Sequence, residues 1–284
     1  MTGTMGNLRR ELIARNAAYA EMAQLPHVMS YGKPSVVVYR QSDCGRYHGN
    51  FINASYREIL KRPEWKRRLQ KVYTQAKQSL PKDNVWCELD SCTSSDALLM
   101  NIFCYPHLTK SRDLALILGT ERGDIPTFGF MPRVPLIRNT VERTEVDMKL
   151  GNVLFEAKLT ETDFQIQSSV QVEQYRDLEE VFDCDKLPRV GDKYISYQLI
   201  RNVLAAHTLD LNFCVLLDTR RQDLLERWYQ IMSCVRSVIL QTRCKVLTWQ
   251  ELSAYLPSAL SDFLKVKYGI EPHTSYLEKL NCMC

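Results

Sequence analysis

Asp147, Glu156 and Lys158 are the residues whose types and spacing invite chemistry. They lie in the run Glu145-Val146-Asp147-Met148-Lys149-Leu150-Gly151-Asn152-Val153-Leu154-Phe155-Glu156-Ala157-Lys158. Gly151-Asn152 between two alternating segments is a two-residue hairpin signal. With that pair as the loop, Leu150 faces Val153, Met148 faces Phe155, Asp147 faces Glu156 and Glu145 faces Lys158. Side chains alternate along a strand. One face is then apolar: Val146, Met148, Leu150, Val153, Phe155 and Ala157. The other holds Glu145, Asp147, Lys149, Leu154, Glu156 and Lys158. Directly opposed Cβ atoms are about 4.5–5.5 Å apart. Two carboxylates that close repel, and a hard divalent ion such as magnesium would settle them. Lys158 would stand at the edge of that site. The alternative needs no metal: a half-exposed hairpin with a charged outer face, its acids neutralised by Lys149 and Lys158. Acid-x-Lys is not specific by itself, since Glu64-Trp65-Lys66 and Asp147-Met148-Lys149 also match.

A second chemical feature is the basic stretch from Arg57 to Lys77, with Arg57, Lys61, Arg62, Lys66, Arg67, Arg68, Lys71 and Lys77 against Glu58 and Glu64. Trp65 and Tyr73 are interleaved. Such a stretch is either a phosphate-backbone patch or a solvated helix face with Trp65 and Leu69 packed inward.

The elements around these residues follow from local signals. Leu8 to Leu25 has helical periodicity and stops at Pro26. Ser35 to Arg40 is strand-like. Ser55-Tyr56-Arg57-Glu58 has the form of a capping box, and Pro63 suits a first helical position. Ser94 or Ser95 caps a helix through Cys104, and Ser111 to Leu118 is a helix stopped by Gly119. Pro132 and Pro135 make any strand in Phe128 to Arg138 an edge. Ser168 or Ser169 opens a helix through Phe182, and a second runs from Asp192 to Ala206. Leu211 to Leu217 is a continuous apolar run, which suits a strand buried on both faces. Arg221 to Leu240 is a long amphipathic helix, and Lys245 to Leu247 a short strand. Thr248 and Ser261 cap the last two helices, and Gly269 ends the final one.

Length and composition bound the rest. The 284 residues are 45% hydrophobic and 25% charged, with a net charge of +4. That is an ordinary globular chain, long enough for a sizeable core. No signal-peptide pattern and no membrane-length apolar run is visible, so a soluble, cytoplasmic protein without membrane partners is expected. The ten cysteines lack Cys-x-x-Cys spacing. Cys214 and Cys234 are expected in the core, with a zinc or iron–sulfur site from distant cysteines as the alternative. No linker or repeat is visible. The expectation is a single domain over 1–284, with a helical elaboration at 1–84, a core at 85–218 and a helical elaboration at 219–284.

From Glu88 onward the order helix, strand region, strand, strand, helix, buried strand resembles the PD-(D/E)XK nuclease superfamily. Asp147 matches the acid of its second strand and Glu156-Ala157-Lys158 the motif of its third. Val146 stands where the name-giving proline would be. Tyr47-His48-Gly49-Asn50-Phe51, Ala54-Ser55-Tyr56, Glu88-Leu89-Asp90-Ser91 and Tyr197-Gln198-Leu199-Ile200-Arg201-Asn202 resemble a bacterial branch of uncharacterised restriction-endonuclease-like proteins. The resemblance runs from about Tyr47 to Leu217. It implies an α/β fold with an αβββαβ core, a mixed sheet and extra terminal helices. It also implies divalent-metal-dependent hydrolysis of DNA in defence, restriction or repair. Asp147, Glu156, Glu88 and the Ala157 carbonyl would hold Mg2+ or Mn2+, and Lys158 would act on the attacking water or the growing phosphorane charge. Glu145 and Asp90 stand behind Glu88 as the upstream acid. Lys66, Arg67, Arg68, Gln198, Arg201 and Asn202 would contact nucleic acid, with bracing of the site as the alternative for the last three and a plain helix-surface role as a further one for Gln198 and Asn202. A homodimer is a partner this fold allows. The competing expectation is an inactive nucleic-acid-binding or protein-interaction module on the same fold.

Overall fold

The computed structural model describes residues 3–30, 33–71 and 86–272. Gly6–Ile117 with the chain from Thr248 forms one compact unit, and Leu118–Leu247 forms another. These boundaries differ from the divisions at 84 and 218 expected from sequence.

The first unit opens with α1 (Gly3–Met22), followed by the hairpin of β1 (His27–Met29) and β2 (Val37–Tyr39). Next come α2 (Asn53–Lys61), α3 (Pro63–Arg68), α4 (Ser95–Phe103) and α5 (Arg112–Leu118). Pro63 opens α3 where a missing N–H costs nothing. Ser94 caps α4, its hydroxyl accepting the Ala97 N–H. The capping box expected at Ser55 does not form. α2 begins earlier with no side-chain cap, and the buried Ser55 hydroxyl donates to the Asn101 carbonyl at 2.6 Å. Tertiary packing has claimed that hydroxyl.

The second unit contains β3 (Thr127–Phe130), β4 (Val146–Leu150), β5 (Val153–Ala157), β6 (Ile166–Ser168), α6 (Ser169–Val172), α7 (Leu178–Val181), β7 (Arg189–Val190), β8 (Lys193–Ile195), α8 (Tyr197–Thr208), β9 (Asn212–Leu217), α9 (Gln222–Met232), α10 (Val238–Thr242) and β10 (Cys244–Thr248). Its main sheet has the order β10-β9-β5-β4-β3. β3, β4 and β5 are antiparallel neighbours and β5 pairs parallel with β9. The sheet is therefore mixed, as expected, with helices on the chain between its strands. β3 is an edge strand that stops before Pro132, as the prolines require. β9 is buried from Phe213 to Leu217, consistent with its unbroken apolar run.

Two expected helices are corrected here. Gly191-Asp192 forms a hairpin turn between the paired Val190 and Lys193, so the segment before Tyr197 is strand and α8 starts later. Ser196, in a left-handed conformation, marks the change. The helix expected from Ser168 to Phe182 is split into α6 and α7, because Tyr175 bridges to Leu136. Together β6, β8 and β7 make a small second sheet. The long helix expected from Arg221 to Leu240 is likewise broken. Val235 bridges to Phe182, and Ser237 then caps α10 by accepting the Leu240 N–H.

The chain re-enters the first unit with α11 (Trp249–Ser253) and α12 (Ser258–Tyr268). Thr248 and Glu251 form the expected kind of start, a reciprocal capping box. Ser261 is no cap: α12 begins after Pro257, and the Ser261 hydroxyl donates to the Ser253 carbonyl. Gly269 ends α12 in a left-handed conformation.

In the core of the second unit, Leu199, Ile200 and Val203 of α8 pack with Leu154, Phe213, Val215 and Leu217 of the sheet. Cys214 and Cys234 are buried, and the described cysteines are free. Cys282 and Cys284 lie outside the described residues. Among the described residues, no helix is long and apolar enough to cross a membrane.

Candidate active site

The hairpin register is the one its turn dictates: Leu150 pairs with Val153, Lys149 with Leu154 and Met148 with Phe155. There the ladder ends. The Asp147 carboxylate, expected opposite Glu156, instead accepts the Ala157 backbone N–H at 2.7 Å. That amide, released from strand pairing, fixes one carboxylate oxygen at the mouth of the β4–β5 pair.

The charged face of the hairpin is covered on its β5 side, where Glu156 and Lys158 are buried, whereas Asp147 and Lys149 on β4 are half-buried and Glu145 is exposed. Leu154 pairs with Phe213 and Glu156 with Val215, so Glu156 shares the sheet face that α8 overlies. Glu156 is 1% exposed and Lys158 5%. Burial at this level is costly for charged groups unless they are paired and hydrogen-bonded. The pairing comes from the hairpin and α8. Lys158 Nζ lies 2.8 Å from Glu156 Oε1 and donates to Gln198 Oε1 at 2.8 Å. Asn202 Nδ2 donates to Glu156 Oε2, also at 2.8 Å. Arg201 is 3.9 Å from the same oxygen, and it donates to the Asn202 side-chain oxygen and the Glu145 carbonyl. The Lys158–Glu156 contact is electrostatic: its angles fall short of a hydrogen bond, and Glu156 Oε1 is a buried acceptor with no aligned donor.

This environment decides the charge of Lys158. Burial pulls the ammonium pKa down, but Glu156, Glu161 and Asp147 outweigh it and hold the group above its ordinary value. The Lys158 ammonium also lies over the Phe164 ring, 5.5 Å from the ring centre.

Two supporting residues were not singled out from sequence. Glu161 accepts the Leu159 N–H at 2.6 Å and turns the chain just after Lys158. Arg221, fully buried, donates to the Glu161 carbonyl at 2.7 Å while its fork is held by Asp223. Their signal was available: charged residues directly beyond two apolar strands, Val153–Ala157 and Asn212–Leu217.

Gln198, Arg201 and Asn202 thus join the hairpin acids and Lys158 in one cluster. Arg201 and Asn202 are buried, so they brace the cluster in this structure and do not present a surface to nucleic acid. The remaining expected residues lie in the first unit. Lys66 and Arg67 are exposed on α3, while Trp65 packs inward. Arg68 is committed internally, 2.8 Å from Asp96. Lys71 binds the same carboxylate at 3.0 Å and Glu88 at 3.0 Å. Burial and Asp96 push the Glu88 carboxyl pKa upward, against Lys71 and Arg68. Tyr73 and Lys77 lie outside the described residues. The other quoted strings brace one another: Asn50 donates to the Leu89 and Ser91 carbonyls, and His48 pairs with Asp90 at 3.2 Å.

Among the described residues, no group of three or more His, Cys, Asp or Glu side chains is arranged to hold a metal ion. Magnesium does not require one. It keeps several waters and is commonly held by one or two carboxylates plus substrate phosphate. Asp147 and Glu156 supply hard oxygen donors, and Glu156 Oε1 is a buried oxygen lacking an aligned donor. The donor set fits such an ion.

The family model described as "Restriction Endonuclease associating with ARP" matches residues 17–269. No curated protein and no solved structure matches the chain.

Proposed function

The chain belongs to this restriction-endonuclease family, and from that premise we propose that it is a divalent-metal-dependent deoxyribonuclease whose active site is the cluster on β5, β4 and α8. The observation that carries this reading is the group formed by half-buried Asp147 with buried Glu156 and Lys158, braced by Gln198 and Asn202. An acid and a lysine buried as deeply as Glu156 and Lys158 are poor contributors to stability compared with apolar residues of similar volume. Their presence suits chemistry better than it suits packing.

Asp147, Glu156 and the Ala157 carbonyl would hold Mg2+ or Mn2+. When bound, the ion supplies positive charge against the phosphodiester and acidifies water. The chain's own groups do the rest. Asn202, positioned by Arg201, holds Glu156 Oε2 so that the other oxygen keeps its direction. The amide of Ala157 does the same for Asp147. Lys158 holds a proton at Nζ, where it can steady charge growing on phosphate oxygen or release that proton to the leaving group. Lys66 and Arg67, exposed on α3, offer charge to the phosphate backbone.

The test is cleavage of labelled linear, nicked and branched DNA with Mg2+, Mn2+ or EDTA, comparing the wild type with Asp147→Ala and Lys158→Ala. Metal-dependent cutting reduced by about 10²-fold or more in both variants is expected. Equal cutting by all three proteins moves the active site elsewhere. DNA binding without cutting by the wild type makes the protein a binding module.

A further inference from the structure

Glu156 is divided between two partners of different kinds. Its Oε2 takes a directed hydrogen bond from Asn202. Its Oε1 lies 2.8 Å from the ammonium of Lys158 without hydrogen-bond alignment, and has no hydrogen-bond partner among the described residues. Lys158 in turn has a well-formed bond to Gln198 Oε1 at 2.8 Å. The ammonium therefore has an aligned bond to the neutral amide and a close but misaligned contact with the acid.

We propose that Lys158 is a resident counter-ion that competes with the divalent cation for Glu156 Oε1, and that Gln198 retains the ammonium once the cation has displaced it. This rests on the nuclease reading above and assigns how the same site is kept stable when no metal is bound. Three observations support it. First, a carboxylate buried to 1% exposure is untenable without a positive neighbour, and Lys158 is the nearest. Second, an ammonium donates through three protons that a rotation of the side chain redistributes, so leaving Glu156 does not require leaving Gln198. Third, the Ala157 amide fixes the Asp147 carboxylate against β5, beside the register position of Glu156, which places a second acid close by for a doubly charged ion. Two cations cannot share one oxygen closely without repulsion, so metal affinity carries the cost of moving Lys158.

A purely structural ion pair predicts the opposite dependence. If Lys158 merely preserved the shape of the site, removing it would loosen Glu156 and weaken metal binding.

The experiment measures Mn2+ binding to the full chain by electron paramagnetic resonance, without DNA, for wild type, Lys158→Met, Gln198→Leu, the double variant and Asp147→Asn. Removal of the competing charge should tighten Mn2+ binding about tenfold in Lys158→Met, equivalent to about 1.4 kcal/mol. Gln198→Leu should weaken it severalfold, because the displaced ammonium loses the Gln198 acceptor. In the double variant the Gln198 substitution should have no effect, since it acts only through Lys158. Equal or weaker binding by Lys158→Met overturns the competition while leaving the metal site intact, provided Asp147→Asn still abolishes binding. No Mn2+ binding by the wild type removes the nuclease reading and this inference together. Should Lys158→Met fail to fold, Gln198→Leu decides: weaker binding supports the proposal and unchanged binding overturns it.

Discussion

Each unit buries a lysine, and the two are held in opposite ways. Lys158 is surrounded by Glu156, Glu161 and Asp147, which keep its pKa above the ordinary value despite burial. Lys267, fully buried in α12, has no such company. Its Nζ donates to the Gly49 carbonyl at 2.9 Å and sits 4.0 Å from the Tyr39 ring centre, with Tyr19, Phe263 and Tyr268 around it. Burial drives its pKa well below the usual 10.5, with only Cys92 opposing. The carbonyl it uses is approachable because residue 49 is glycine: a Cβ there would lie 2.4 Å from the Tyr39 ring. Burial by itself strips a lysine of its proton. A buried lysine that keeps it therefore reports an excess of acid, and an acid excess is what a cation-binding site needs. Lys267 is thus held by a carbonyl and aromatic rings, and Lys158 by acids and a side-chain amide.

The strongest way to break this contrast is Glu156→Gln. The amide keeps the shape but leaves the Lys158 ammonium short of its main counter-charge. Removing one partner of a buried pair costs about 3–5 kcal/mol, so the urea midpoint should fall with the slope unchanged. A loss below about 1 kcal/mol would mean that Glu161 and Asp147 suffice. Lys267→Met sharpens the other side. The unfolded lysine binds a proton below about 10.5, whereas the folded one stays neutral to much lower pH. Between the lowered folded pKa and 10.5 the unfolded state binds more protons, so wild-type stability rises with pH, by up to about 1.4 kcal/mol per unit. Below the folded pKa this contribution is flat. The methionine variant lacks that slope and should be about 1–3 kcal/mol more stable near neutral pH. Urea melts at several pH values between neutral and 10 check this, and parallel curves for the two proteins would mean that Lys267 is charged when folded.

How much of this was legible in the sequence depends on the range of the interaction. The β4–β5 hairpin was legible because Gly151-Asn152 and the period-two pattern are local, and the observed register follows from them. The mixed sheet and the buried β9 followed from element order and an unbroken apolar run. The burial of Glu156 and Lys158 on the charged face was not legible. That face looks solvated because its cover, α8, is 40 residues away at Gln198 and meets it only in the folded chain. The end of the ladder at Met148, which frees the Ala157 amide for Asp147, also leaves no local trace. The Gly191-Asp192 hairpin was missed for another reason: its strands are short and polar, so they carry no alternation to notice.

The same contrast between committed and uncommitted cations divides the basic stretch, and here the effects are smaller. Arg68 is bound to Asp96, which Lys71 also holds. Arg68→Gln should cost about 1–2 kcal/mol of stability, since one charge-assisted bond is lost and Lys71 still covers the acid. Lys66 and Arg67 point to solvent from the same helix. Reversing both to glutamate should change stability by less than about 0.5 kcal/mol. It should instead weaken DNA binding and flatten its dependence on salt, by nearly two units of the logarithmic slope if each side chain neutralises a phosphate. Binding isotherms at several salt concentrations measure this. An unchanged slope removes α3 from the DNA interface, and the stability cost of Arg68→Gln then stands as the whole contribution of the α3 cations.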